Sequence, residues 1–138
     1  MIPLPSCGLK SNGDVVPPTM CAELMPTRDA GVSVQDGVWT INPLLDNRWP
    51  KFVERHPSSS VFHTIGWLQA LRTTYGYEPV AFTTSAPSEK LTNALLFCVA
   101  RSWLTGCRLV SLPFTDHCEP LVENVHQLRT IYLHLETL

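Results

Sequence analysis

The chain has 138 residues, 44% of them apolar and 16% charged, which suits one domain of modest size with a real core and argues against global disorder. Its formal charge of -2 leaves no basic footprint for nucleic acid or anionic lipid in the total. No apolar run approaches the ~18 residues of a membrane span, so no membrane segment is expected.

Five cysteines, at positions 7, 21, 98, 107 and 118, contain no Cys-x-x-Cys pair. Reduced thiols, a cytoplasmic location and no metal site are therefore expected. The start, Met-Ile-Pro-Leu-Pro-Ser-Cys, lacks a charged region followed by an apolar stretch and does not read as a secretory signal. Residues 1–36 hold five prolines and no lasting period. They are read as a disordered, proline-rich extension, and 37–138 as the folded domain.

Order is expected to begin at Val38–Ile41, a short β-branched and aromatic run after Gly37. Trp49, Phe52 and Val53 then mark one stripe of a short helix, with Asn47 as its cap and Pro50 in its first turn. A second helix carries Trp67, Leu68, Leu71 and Tyr75, capped by Thr64 and ended by Gly76. Three extended runs follow, Pro79–Ser85, Leu91–Trp103 and Arg108–Leu112, and their short links predict an antiparallel meander. The run 95–100 is apolar on both alternating faces, which places it centrally in the sheet. Val125, Leu128, Tyr132 and Leu135 predict a last helix, opened by a capping-box-like Asn124 and Gln127, with His126 and His134 on its surface. The fold class is α/β in the broad sense (α+β).

Between the last strand and the last helix lies the densest set of reactive side chains: Pro113-Phe-Thr-Asp-His-Cys-Glu-Pro120. A rigid polar loop beyond a strand's carboxyl end is where α/β sheets place ligands. Three readings of Asp116, His117, Cys118 and Glu119 stay open. The carboxylates could receive an amine while His117 relays a proton. Cys118 could be a nucleophile activated by His117. Alternatively, the set is structural, with carboxylates holding loop amides and Cys118 as a small buried group.

The order strand, two helices, three-stranded meander, helix, together with Val61-Phe62-His63-Thr64, Trp67-Leu68, Tyr75-Gly76-Tyr77-Glu78-Pro79 and Ser111-Leu112-Pro113-Phe114-Thr115-Asp116, resembles the amino-terminal part of FemAB-like proteins. These are a group related to the GNAT acyltransferases with two tandem acyltransferase folds. The resemblance covers about Trp39 to Leu138. It implies a GNAT-like half-domain, incomplete at its carboxyl end, from an enzyme that moves an acyl or aminoacyl group to an amine acceptor, as in cell-wall or surface-polymer assembly. The implied donor is acyl-CoA or aminoacyl-tRNA. The implied partner is a missing carboxyl-terminal acyltransferase fold, or a second copy through self-association. The substrate-binding residues expected from the loop and the helix start are Ser111, Phe114, Asp116, His117, Glu119 and His63. No catalytic residue is assigned.

One departure matters. GNAT folds bind the pyrophosphate of coenzyme A on a glycine-rich turn after the fourth strand, where backbone amides reach the anion. Here that position has no glycine and two carboxylates, so no cofactor is expected to bind this segment tightly. The alternative reading is a non-catalytic binding or interaction fragment.

Overall fold

A computed structural model of the chain describes residues 32–35, 37–102, 106–115 and 118–138. Five strands form one antiparallel sheet in simple order: β1 (Val32–Gln35), β2 (Val38–Ile41), β3 (Glu78–Thr83), β4 (Leu95–Ser102) and β5 (Gly106–Ser111). Three helices accompany them, α1 (Trp49–Arg55), α2 (Ile65–Tyr75) and α3 (Val125–Leu135). The expected order from β2 onward is present. β1 is an addition that starts ahead of position 37. It pairs with β2 from Val32↔Ile41 to Gln35↔Val38, and Gly37 at φ 75° supplies the left-handed backbone that so tight a reversal requires.

Period-two alternation divides the sheet's side chains between two cores. Ile41, Ala81, Leu96 and Cys98 meet Trp49, Phe52 and Val53 of α1 and Leu68 and Leu71 of α2. Val38, Val80, Phe82 and Val99 meet Ile131 and Leu135 of α3. Helices thus cover both faces, which explains why 95–100 is apolar without interruption. β4 is an inner strand, paired on both sides, although β3 is the middle one.

Local chemistry sets the helix ends. Thr64 accepts the Trp67 amide at 3.4 Å, and Gly76 closes α2 at φ 69°. Asn124 accepts the Gln127 amide at 3.0 Å to open α3. Asn47 does not cap α1. The residue before the helix is Arg48, which makes no side-chain cap. Asp46 instead accepts the Arg48 amide at 2.9 Å and grips its guanidinium at 2.6 Å. Arg48 also donates to the carbonyls of Ala86 and Glu89, fastening the turn before β4 to the start of α1.

The phase of α3 differs from the expected stripe. Ile131, His134 and Leu135 are buried, whereas Val125 is 79% exposed and Tyr132 is exposed too. His134, expected on the surface, packs near the Phe82 ring at 6.1 Å between centroids. The sheet's apolar face selects the row at i, i+3, i+4 that fits it, and the ring of His134 falls in that row.

Cys107 is disulfide-bonded, while Cys98 and Cys118 are free thiols. The expectation of five reduced cysteines therefore does not hold. Spacing along the chain reports only close pairs, not distant ones. No helix among the described residues is long and apolar enough to cross a membrane.

Candidate functional site

β5 ends at Ser111, opposite Phe97 of β4. The chain then leaves the sheet and returns at Leu121, which pairs with Ala94 through bonds of 2.7 and 3.0 Å. Nine residues, 112–120, thus stand against two, 95 and 96, and the described part of the longer side leaves the sheet as a loop. Its entry is fixed by buried Leu112 and by the Thr115 hydroxyl donating to the Leu112 carbonyl at 2.9 Å.

Phe114 sits in this entry at φ 63°, a left-handed conformation that non-glycine residues adopt at a cost of about 1–2 kcal/mol. It holds the ring out, 62% exposed, beside Tyr75 at 4.7 Å between centroids. Tyr75 in turn stacks on Tyr77 at 5.8 Å and 19°. Between this rim and α2 runs a groove of about 220 Å³, lined by Trp67, Ala70, Leu71, Thr74, Tyr75 and Phe114. No lining residue carries a formal charge at neutral pH. The buried Trp67 Nε1 has no hydrogen-bond partner among the described residues.

At the amino end of α2 the returning arm of the loop meets His63. This ring is buried, 1% exposed. Its Nδ1 accepts the Ser60 amide at 3.1 Å, and its Nε2 lies 3.2 Å from the Glu119 carbonyl and 3.5 Å from Cys118 Sγ. The Trp49 indole donates to the His63 carbonyl at 2.8 Å. Burial pushes the His63 pKa below its ordinary 6.5, and the Glu119 carbonyl only partly opposes this. Burial also pushes the Cys118 thiol up to about 11, so it is a thiol and not a thiolate at neutral pH.

The expected site residues therefore separate. His63 and Glu119 meet, but through the Glu119 backbone; the Glu119 side chain is exposed. Phe114 reaches the groove on α2. Ser111 stays half-buried in the β5 ladder. Asp116 and His117 lie outside the described residues, so no geometry attaches to the His117–Cys118 pairing. The imidazole beside Cys118 is His63, and it does not activate the thiol, because an amide donates to Nδ1 and the remaining proton occupies Nε2. The sequence places Trp67, Leu68, Leu71 and Tyr75 together on one helix. That Phe114 closes one side of the groove on this helix is a contact made only in three dimensions.

A second, larger recess of about 380 Å³ lies beside α1, lined in part by Arg48, Lys51, Arg55, Glu89 and Lys90. Arg48 is already committed to Asp46 and two carbonyls, and the remaining charges are exposed ends of long side chains. This recess presents no fixed recognition geometry. No group of three potential metal ligands clusters among the described residues.

Comparison with protein-family models, with curated proteins and with solved structures finds no match. The geometry alone bears on function.

Proposed function

We propose that this chain is the substrate-gripping amino-terminal part of an acyl- or aminoacyltransferase of the FemAB-like, GNAT-related kind. The observation that carries the proposal is the uncharged aromatic groove at the carboxyl end of β5, walled by Trp67, Leu71, Tyr75 and Phe114. Its position beyond a strand's end is where such sheets take ligands. The order β2, two helices, β3–β5 meander, helix, with helices on both faces, supports the same reading. A groove of this size and neutrality suits the side chain of an aminoacyl group or a short acyl chain better than a nucleotide.

Chemistry would come from a second fold. Among the described residues both ring nitrogens of His63 are engaged and Cys118 is protonated, so neither can shuttle a proton to an amine acceptor. Neither acyl-CoA nor aminoacyl-tRNA would be held tightly by its phosphates here, because the loop from Pro113 to Pro120 has no glycine. The competing reading, a non-catalytic binding module, is favoured by the engagement of both His63 ring nitrogens and the protonation of Cys118.

Tryptophan fluorescence tests the groove. An aminoacyl-nucleoside analogue bearing an aromatic side chain should quench Trp67 saturably, and coenzyme A should not. Phe114→Ser should weaken that binding at least tenfold. If the analogue leaves the emission unchanged, the transferase reading loses the site it rests on. If the analogue binds but no acyl or aminoacyl transfer accompanies it when the downstream coding sequence is expressed too, the binding module is the better account.

A further inference from the structure

The rings around the groove on α2 are held in place by other rings. Of the six lining residues, Trp67, Tyr75 and Phe114 are aromatic, and none of the six carries a formal charge at neutral pH. Phe62 meets Trp67 edge-on, with centroids 5.2 Å apart and planes at 71°. Tyr77 stacks on Tyr75 at 5.8 Å and 19°, and Tyr75 in turn flanks Phe114 at 4.7 Å. The bracing rings Phe62 and Tyr77 are half-buried against the core, so the wall is tied to the packed interior. The backbone adds to this: α2 ends at Tyr75 with Gly76 left-handed after it, and Phe114 is itself left-handed. Even so, Tyr75 and Phe114 remain 53% and 62% exposed, which leaves ring surface for a further contact.

We propose that this groove selects aromatic side chains: within the transferase reading, on which this inference rests, the donated group carries a neutral aromatic ring. Size agrees, since the groove of about 220 Å³ exceeds the cavity of about 150 Å³ that suffices for one benzene ring. Ring pairs attract at centroid separations of about 4.5–7 Å, offset or edge to face, beyond what the burial of area gives. A saturated ring of the same shape would bury similar surface without that attraction. A carboxylate would be desolvated with no counter-charge among the lining residues. An ammonium would find ring faces but no carboxylate among those residues to offset its desolvation.

Tyr75 is the specificity-determining residue, because it is the ring that touches both Tyr77 and Phe114. Tyr75→Leu keeps an apolar wall and a good helix former but removes the middle ring. A wall that only holds shape would bind aromatic and saturated side chains equally, and its loss would weaken both alike. A selecting ring changes the ratio between them.

Calorimetric titration of the full chain measures that ratio, with phenylalanyl and cyclohexylalanyl nucleosides that differ only in saturation of the ring. The phenylalanyl compound should bind about fivefold to tenfold tighter, as one good ring contact allows. Tyr75→Leu should reduce the ratio to about twofold; should that variant not fold, Phe114→Leu on the loop serves in its place. An unchanged ratio in the variant would remove the selecting ring and overturn the inference. Equal binding to the unaltered chain, or tighter binding of the cyclohexylalanyl or a lysyl nucleoside, would overturn aromatic selection and leave the transferase reading standing. A free nucleoside that binds as tightly as the phenylalanyl compound would assign the groove to the base and overturn the inference too. Binding of none of them would overturn the transferase reading, and this inference with it.

Discussion

Two buried polar clusters fasten loops to the same sheet, and they differ in one respect. The first is built on Asn93. Its Oδ1 accepts the Thr84 amide at 3.0 Å and its Nδ2 donates to the hydroxyls of Thr84 and Thr92 at 2.8 and 3.1 Å. Its carbonyl accepts the Thr83 hydroxyl at 2.6 Å. This closes the turn between β3 and β4 with amides and hydroxyls only. The second is built on His63 and holds the returning arm of the loop after β5. Both satisfy buried polar groups, as low-dielectric interiors demand. Only the second contains a group that changes charge near neutral pH. The two latches are distinguished by amide against imidazole.

The largest expected effect is at the Asn93 latch. Asn93→Ala strands the Thr84 amide and removes two hydroxyl acceptor bonds in a site 1% exposed. We expect a loss of about 3 kcal/mol, from buried groups that cost roughly 1–3 kcal/mol each when unpaired. Urea unfolding should give the same loss at about pH 7.5 and pH 5.5. A loss confined to one pH would mean that the two latches are coupled and the comparison is false.

How much of each latch was legible in the sequence follows from distance along the chain. Thr64, Gly76 and Asn124 were readable as caps because capping is settled within three or four residues. The strands were readable because burial alternates with period two. Asn47 was misjudged since the real clamp, Asp46 on Arg48, also recruits carbonyls from 86 and 89. His134 was misjudged because a helix's buried row is chosen by the sheet it meets. His63 could be suspected of fixing a cap, but its partner Glu119 lies 56 positions away, and no local pattern encodes that pairing. Phe114 was singled out with the loop, and it lines the groove on α2. Its left-handed backbone and its approach to Tyr75 were not foreseeable from the residue type, since phenylalanine seldom adopts that conformation.

A smaller effect is expected at Phe114, which sharpens the contrast by separating holding the loop from using it. Phe114→Gly removes about 1–2 kcal/mol of left-handed backbone strain. It adds backbone freedom to the unfolded chain and deletes an exposed ring contact, which opposes that gain. Net stability should stay within about 1 kcal/mol of the unaltered chain, while the groove loses one wall and, on the proposed reading, its affinity for the aminoacyl analogue. Thermal unfolding and fluorescence titration on the same sample check both halves. A large destabilisation would make Phe114 a structural strut and remove the reason to read its strain as functional.

The smallest effect is expected within the His63 latch itself. Cys118 Sγ lies 3.5 Å from His63 Nε2, close enough to look like a catalytic pair. The Nε2 proton, however, is directed to the Glu119 carbonyl, and the thiol sits at a pKa of about 11. Cys118 then acts as a small apolar filler, and Cys118→Ala should cost about 1 kcal/mol or less. An alkylating reagent at neutral pH should label Cys118 slowly in the folded chain and rapidly once urea exposes it. Fast labelling of the folded protein would require a thiolate beside an imidazolium, and so the opposite proton arrangement. That result would return Cys118 to candidacy as a nucleophile and make His63 its base.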